Sequence, residues 1–191
     1  MKRWQLLSVL LHYPDADLLA SREELERAAT GAPHIERFVA WLGGHSLAEL
    51  QRAYVDTFDF DRRASPYLTY HTHGDRRQRG LELVRLKRRF ADVGFPLADG
   101  ELPDFLPVLL EFAALAPTDG EALLNELRAP LELVRSRLHD RDSPYGPLLD
   151  AVVAALPRRT KAQTHAARRL AESGPPAELV GLDPFAVGAS P

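Results

Sequence analysis

Residues 54–80 read YVDTFDFDRRASPYLTYHTHGDRRQRG, and this stretch is the least generic part of the 191-residue chain. It begins with an aromatic and acidic run, passes a turn at Pro66, and continues through tyrosines and histidines into a segment rich in arginine. A plain helical bundle does not need this density of aromatic, acidic, histidine and arginine side chains. We therefore expect residues 54–80 to form either a buried polar junction between two halves of a domain or a binding site.

Apolar residues at three-and-four spacing predict helices on both sides of this stretch. Glycine and proline clusters such as Gly43-Gly44 mark their ends, and the sequence shows no alternating strand pattern. The fold class is therefore predicted to be all-α, a single-domain helical bundle of about eight or nine helices over residues 1–172. Residues 173–191, rich in glycine and proline, are expected to form a mobile C-terminal tail, or to dock their apolar segments 179–180 and 182–185 back on the body.

Three of the predicted helices have a definite length or buried face. One helix is expected over residues 15–29, and another from Thr118 to about Leu138. A third is expected from Asp75 to about Val93, with the inward-facing side chains Leu81, Val84, Leu86 and Phe90. Residues 67–74 mix aromatic and β-branched side chains, and they fit either a short helix or an extended turn.

The composition argues against several classes of protein. The chain has no cysteine, which removes disulfides, thiolate metal sites and a cysteine nucleophile. Its formal charge of −3 argues against a general nucleic-acid binder, because such proteins are usually basic. No apolar run is long enough for a transmembrane helix, and the short N-terminal apolar run lacks a cleavage site, so we expect a cytoplasmic protein. Catalysis is poorly supported, since the sequence has no glycine-rich phosphate loop, GxSxG elbow or Cys-His pair.

The pair His71 and His73, with Asp75 nearby, is a candidate metal site. In an extended segment the two imidazoles would point the same way, and the acidic run at residues 56–61 could add carboxylates. A metal-dependent hydrolase would use these groups. The spacing matches no closed zinc pattern, however, so we favour hydrogen bonds from these side chains to the backbone and to arginines at a helix junction.

Asp75 is followed by Arg76, Arg77 and Arg79 at the start of a predicted helix. Backbone N–H groups and arginines at a helix N-terminus could hold a phosphate, as a nucleotide-binding protein would require. The simpler interpretation makes Asp75 the N-cap and pairs the arginines with the acidic run. Because arginine is unfavourable at a helix N-terminus, we expect an acidic group of this chain or of a partner to compensate for it.

Glu101 and Asp104 precede a very apolar helix whose predicted start lies between Pro103 and Leu106. One interpretation is a capping arrangement before a core helix. The other is an acidic rim beside a hydrophobic groove, which would suit a basic amphipathic peptide. The residues alone leave both interpretations open.

Three motifs, in this order and spacing, carry a family resemblance: YVDTFDF at 54–60, YLTYHTHGDRRQRG at 67–80 and ELPDFLPVLLEF at 101–112. Together with LLHYPD at 10–15, they resemble respiratory nitrate reductase assembly chaperones of the NarJ type, which belong to the all-helical TorD-like family. The matching motifs span about residues 6–112. The resemblance implies a non-catalytic cytoplasmic chaperone with no cofactor of its own.

The resemblance further implies that the partner is the apo catalytic α subunit of a nitrate reductase, bound through its N-terminal segment. The chaperone would hold that subunit competent for insertion of the molybdenum cofactor and keep it from premature membrane docking. It would neither insert into the membrane nor bind nucleic acid. Within the family, the alternative is a chaperone for another molybdenum oxidoreductase. The motif positions that we assign to the peptide-binding site are Tyr67, Tyr70, His71, Asp75, Arg77, Glu101, Asp104 and Leu106.

Overall fold

The computed structural model describes residues 1–74 and 77–173, so the predicted tail from residue 174 onward lies outside it. The described residues form twelve α-helices and one 3₁₀ turn, and they contain no strand beyond a single isolated bridge. Among them, no helix is long and apolar enough to span a membrane. The helices are α1 (Arg3–Leu11), α2 (Ala16–Ala20), α3 (Arg22–Ala29), α4 (Pro33–Gly43), α5 (Leu47–Phe58), α6 (Leu68–His73), α7 (Arg77–Asp92), α8 (Leu106–Leu115), α9 (Pro117–Glu126), α10 (Arg128–Asp140), α11 (Gly146–Ala155) and α12 (Lys161–Ser173), with the 3₁₀ turn at Arg62–Ala64.

The all-α, single-domain prediction is confirmed, but the described residues contain more helices than the eight or nine predicted. The helix expected over residues 15–29 is broken at Ser21 into α2 and α3. The helix expected from Thr118 is broken at Leu127 into α9 and α10. The segment that fitted a helix or a turn forms the short helix α6. A break of one residue leaves the apolar spacing nearly unchanged, so periodicity does not reveal it.

Local sequence explains where several helices begin. At the start of α2, the carboxylate of Asp15 accepts a hydrogen bond from the backbone N–H of Leu18 at 2.8 Å. Ser46 and Glu49 form a capping box at the start of α5. Pro107 lies in the first turn of α8, where its missing N–H group costs nothing. The first sequence motif lies at the end of α5, and the third lies at the start of α8. Both motifs therefore lie at helix boundaries, next to irregular backbone.

Helix α8 lies at the centre of the domain. Residues 106–110 are all buried, as are Phe112 and Ala113. The helix packs against α1 and against α9. α9 approaches closely because Gly120 has no side chain: a Cβ atom at this position would lie 2.2 Å from the Cα atom of Ala113. The third motif therefore runs directly into the most buried helix of the fold.

Helix α7 packs through a narrower face than its sequence suggests. Leu86 and Phe90 are buried as predicted, but Leu81 is 66% exposed and Val84 is 47% exposed. The prediction that all four side chains face inward is therefore wrong for Leu81 and Val84. Two turns before Leu86, the inward position is occupied by Arg79, whose side chain is only 18% exposed. The first half of α7 thus meets the domain through a polar contact instead of an apolar one.

Candidate functional site

Tyr67 and Phe105 join the second and third motifs through their backbones. The two residues form an isolated antiparallel bridge. On either side of it, the N–H of Leu68 donates to the carbonyl of Asp104 at 2.9 Å, and the N–H of Leu106 donates to the carbonyl of Pro66 at 2.9 Å. The aromatic rings of Tyr67 and Phe105 stack with their centroids 5.1 Å apart. The bridge fixes the start of α6 against the start of α8.

The carboxylate of Asp104 is fully buried beneath this bridge. It accepts a hydrogen bond of 2.5 Å from the hydroxyl of Thr69 on α6. The guanidinium of Arg79 on α7 reaches the same carboxylate at 3.1 Å. Because Asp104 is enclosed by these partners, the acidic-rim interpretation, one of the two left open, does not hold for this residue. Its charge is instead used inside the protein to hold α6, α7 and α8 together.

Above Asp104, the guanidinium of Arg79 lies against the rings of two tyrosines. Its central carbon is 5.8 Å from the ring centroid of Tyr67 and 5.9 Å from that of Tyr70. The two rings and the guanidinium line a surface cleft of about 200 Å³, which we call the aromatic cleft. The residues that line the aromatic cleft are Phe58, Asp59, Arg62, Ser65, Tyr67, Tyr70 and Arg79.

The aromatic cleft has a buried base and charged edges. Burial raises the pKa of the Tyr67 hydroxyl, and the nearby Asp104 charge raises it further, so this hydroxyl stays neutral and can donate or accept a hydrogen bond. Asp59 and Arg62 are exposed, and neither has an ion-pair partner within residues 1–74 and 77–173. The cleft therefore offers aromatic surface together with one available carboxylate and one available guanidinium.

Asp61 anchors the first motif to α10. Its carboxylate accepts hydrogen bonds from Arg137 at 2.6 Å, from Arg141 at 3.2 Å and from the backbone N–H of Arg63 at 3.0 Å. Burial raises the pKa of Asp61, but these hydrogen bonds and positive charges outweigh burial and hold the pKa below its usual value. The 3₁₀ turn that carries Arg62 into the aromatic cleft is thereby fixed in place.

His71 lies behind the aromatic cleft with its imidazole fully buried. Its Nε2 atom is 2.8 Å from the backbone carbonyl of Ser65, and only a protonated nitrogen can donate to a carbonyl. Within the described residues, the buried Nδ1 atom has no hydrogen-bond partner. Burial lowers the pKa of His71, so the ring is neutral at pH 7. The ring therefore ties α6 to the turn that precedes it.

His71 and His73 do not form a pair of ligands. They lie on the helix α6, and a separation of two residues places side chains on different faces of a helix. The described part of the chain contains no group of three His, Cys, Asp or Glu side chains that could hold a metal ion. The interpretation of His71 as a hydrogen-bonding group at a helix junction is confirmed by its contact with Ser65.

A family model described as the nitrate reductase delta subunit matches residues 22–151, which include the aromatic cleft and all three motifs around it. The chain belongs to the nitrate reductase delta subunit family. Its resemblance to NarJ-type chaperones, read from the motifs, is confirmed by similar proteins of that type.

Two of these similar proteins are named as chaperones. The chain is 35% identical over 157 residues to NarJ of Bacillus subtilis, named as a probable nitrate reductase molybdenum cofactor assembly chaperone; the match covers 78% of this chain and 85% of that protein. It is 34% identical over 158 residues to NarJ of Escherichia coli K12, a nitrate reductase molybdenum cofactor assembly chaperone, with 78% and 66% covered.

Two further similarities concern a longer protein and a solved structure. The chain is 40% identical over 158 residues to the nitrate reductase-like protein NarX of Mycobacterium tuberculosis, but it spans only 23% of the length of NarX. A crystal structure of a candidate redox enzyme maturation protein from Archaeoglobus fulgidus superposes with a TM-score of 0.62 at 22% identity, covering 79% of this chain and 91% of that one. The second similarity shows that the nitrate reductase delta subunit family shares its helical fold with that protein.

The structure separates the residues that the sequence assigned to peptide binding. Tyr67 and Tyr70 line the aromatic cleft. His71, Asp104 and Leu106 are buried behind it, so none of them is exposed to a ligand in this structure. Two others do not line it. They are Glu101, which is half-buried, and Arg77, which is exposed at the start of α7. Asp75 lies outside the described residues.

Sequence reasoning missed the charged edges of the aromatic cleft. Asp59 and Arg79 belong to the family motifs, but neither was assigned to the peptide site. Arg62 and Ser65 were not singled out within the stretch. The spacing of Tyr70 and Tyr67, the N-cap of α6, indicated the aromatic part of the cleft but gave no signal for its charged edges. The approach of Arg79 depends on the turn between α6 and α7, which spacing alone does not describe.

Proposed function

We propose that this chain is a cytoplasmic, non-catalytic assembly chaperone for a nitrate reductase, and that the aromatic cleft binds the N-terminal segment of the apo catalytic α subunit. The observation that carries the proposal is the meeting of all three family motifs at one cleft: Phe58 and Asp59 from the first, Tyr67, Tyr70 and Arg79 from the second, with Asp104 of the third beneath them. The names of the similar proteins from Bacillus subtilis and Escherichia coli support the assembly role.

The chemistry of the aromatic cleft suits an amphipathic peptide with basic residues. Tyr67 and Tyr70 provide flat apolar surface for an apolar or aromatic side chain of the peptide. Asp59 provides an exposed carboxylate for a lysine or arginine of the peptide, which is the role that the sequence suggested for Asp104. Phe60 follows Asp59 in the chain and is 78% exposed, and we infer that its ring adds to the apolar surface that a peptide in the cleft would meet.

A site of this size supports moderate affinity. A short peptide held by two tyrosine rings and one ion pair is expected to bind with a dissociation constant of about 1 μM, or roughly −8 kcal/mol. Binding of that strength protects the segment while the molybdenum cofactor is inserted into the catalytic subunit, and still permits release afterwards. In this scheme the cofactor is cargo of the client, and residues of the chaperone hold the polypeptide.

The test is calorimetric titration of the protein with a synthetic peptide copying the N-terminal segment of the cognate nitrate reductase α subunit, at two salt concentrations. We expect saturable one-to-one binding that weakens with salt, because the ion pair at Asp59 is exposed and therefore screened. Asp59→Lys should weaken binding strongly. Asp56→Lys is the matched control, since Asp56 is also exposed near the end of α5 but does not line the cleft. If no binding is seen at protein concentrations well above micromolar, the protein does not bind this peptide and that part of the proposal is wrong. If both variants lose affinity equally, the peptide does not bind in the aromatic cleft.

A further inference from the structure

The basic side chains of α7 divide between two faces of the helix. Three of them are paired within the protein: Arg79 with Asp104 at 3.1 Å, Arg85 with Glu82 at 2.8 Å, and Arg89 with Glu126 at 2.7 Å. The other three have no ion-pair partner within residues 1–74 and 77–173: Arg77, Lys87 and Arg88. Three cations of α7 are therefore paired within the protein, and a separate exposed set has no ion-pair partner among the described residues.

Two of the exposed cations flank an exposed apolar pair. Arg77, Leu81, Val84 and Arg88 are separated by four, three and four residues, which places them along one side of the helix. We call this side the outer face of α7. Leu81 and Val84 are 66% and 47% exposed, in contrast to the buried Leu86 on the opposite side. Beside them, Gly80 leaves open space, because a Cβ atom there would meet no other atom within 4 Å.

Residues 174–191 have a sequence complementary to the outer face. They read GPPAELVGLDPFAVGASP and contain two charged side chains, both acidic, at Glu178 and Asp183. The apolar side chains Leu179, Val180 and Leu182 lie between these two carboxylates. On α7, two cations flank an apolar pair; in residues 178–183, two carboxylates flank an apolar segment. The two sequences are therefore complementary.

The spacing of the charges also agrees. Arg77 and Arg88 are eleven residues apart on a helix, which corresponds to about 16 Å along its axis. Glu178 and Asp183 are five residues apart, and an extended chain of that length also covers about 16 Å. One extended segment could therefore place both carboxylates opposite both guanidinium groups.

The end of α12 lies near the end of α6, the helix that precedes α7. Thr72 of α6 and Glu172 of α12 line one cavity. Only five residues lead from Thr72 to Arg77, and six lead from Glu172 to Glu178. A segment that continues from α12 therefore has the length to reach the outer face and to run along it in the same direction as α7.

We propose that residues 178–183 of this chain bind along the outer face of α7, with Glu178 paired to Arg77 and Asp183 paired to Arg88. Leu179, Val180 and Leu182 cover Leu81 and Val84. This intrachain site is separate from the aromatic cleft, which receives Arg79 from the opposite side of α7.

The absence of cysteine from the sequence makes a direct test possible. A nitroxide label is attached to Ala91→Cys in the full chain, three residues beyond Arg88 and exposed. We expect loss of amide peak intensity for Leu182 and Asp183 in the NMR spectrum, and recovery of intensity in about 1 M salt, where the Debye length is about 3 Å. A label at Ala40→Cys, exposed on α4, is the control and should leave these peaks unchanged. Full intensity with the label at residue 91 would overturn the proposal.

Charge exchange tests the pairing itself. Arg77→Glu with Arg88→Glu should abolish the intensity loss, and adding Glu178→Arg with Asp183→Arg to that variant should restore it. Arg158→Glu with Arg159→Glu makes the same change in net charge at exposed residues before α12 and should have no effect. Intensity loss in a mixture of labelled chains and isotope-enriched unlabelled chains would assign the contact to two copies and overturn the intrachain site. Peptide titration of the aromatic cleft should be unaffected in every variant, which keeps this test separate from that of the proposed function.

Discussion

Arg79 and Asp104 form an ion pair of 3.1 Å between the first turn of α7 and the segment before α8, and the aspartate has no exposed surface. The Thr69 hydroxyl completes the arrangement by donating to the same carboxylate at 2.5 Å. A buried charge is tolerated only when it is paired and hydrogen-bonded. The side chains that build the base of the aromatic cleft are therefore also required for the stability of the domain.

Replacing one partner of this pair should destabilise the protein strongly. Arg79→Met leaves the Asp104 carboxylate buried without its cation, and the expected loss is about 3–5 kcal/mol of unfolding free energy in denaturant titration. The triple variant Arg79→Met, Asp104→Leu, Thr69→Val removes all three polar partners together and should recover most of that loss. A single variant as stable as the wild type would show that the pair is not a structural requirement.

His71 should make stability depend on pH on the acidic side of neutrality. An unfolded chain binds a proton at this residue near pH 6.5, whereas burial lowers the pKa of His71 in the folded protein. The folded state therefore holds fewer protons below that pH, so the contribution of His71 is complete above about pH 6.5 and is lost as the pH falls. The expected slope is at most about 1.4 kcal/mol per pH unit.

The measurement for His71 compares unfolding free energies of the wild type and His71→Gln between pH 8 and pH 5. The two stabilities should run parallel above about pH 7, because the ring is then neutral in both states. Below that pH, the wild type should lose stability faster than the variant. Parallel curves over the whole range would contradict the neutral buried ring inferred from the Ser65 contact.

Phe60 should matter for client binding and little for folding. Phe60 follows the cleft residue Asp59 in the chain and its ring is 78% exposed, so Phe60→Ser removes exposed apolar surface without opening the core. Leu115→Ser is the matched control, because Leu115 is 57% exposed at the end of α8 and does not line the cleft. Calorimetric titration with the client peptide should show weaker binding for the Phe60 variant alone. Unchanged affinity would place the peptide away from this edge.

Two glycines in helices should respond oppositely to the same substitution. Gly80→Ala should stabilise the protein by up to about 1 kcal/mol, since alanine favours the helix and a Cβ atom there meets nothing within 4 Å. Gly120→Ala should destabilise it, since its Cβ atom would lie 2.2 Å from the Cα atom of Ala113. Thermal unfolding of both variants measures the difference. Destabilisation by both substitutions would indicate that Gly80 contacts a part of the chain outside the described residues, because the described residues leave space for a Cβ atom there.

The sequence was informative about the architecture because apolar periodicity and capping residues act locally. Asp15 and Ser46 begin helices where their side chains indicate, and α8 is as buried as its apolar composition suggests. For the stretch at 54–80, the prediction was a buried polar junction or a binding site, and the contacts of Thr69 and Arg79 with Asp104 show a polar junction. Periodicity failed for Leu81 and Val84, because it gives the apolar side of a helix but not whether another element covers that side.

The aromatic cleft was only partly predictable for a related reason. Tyr67 and Tyr70 could be selected from spacing and family resemblance. Whether Asp104 or Asp59 is the available carboxylate depends on tertiary contacts between segments far apart in the chain. The Asp104 carboxylate is hydrogen-bonded to Thr69 and paired with Arg79, whereas Asp59 has no ion-pair partner in the described part of the chain. An acidic residue beside a core helix has the same local sequence in either situation.

The bridge between Tyr67 and Phe105 also has a consequence for the order of folding. It joins residues 38 positions apart, from 67 to 105, and closing a loop of that length costs roughly 3 kcal/mol of chain entropy. That cost must be met before the contacts around Asp104 can compensate for it, so the bridge is expected to form after the local helices α6 and α7. A nascent chain would consequently have its individual helices before it has the aromatic cleft, and would acquire the proposed client site only after those helices have formed.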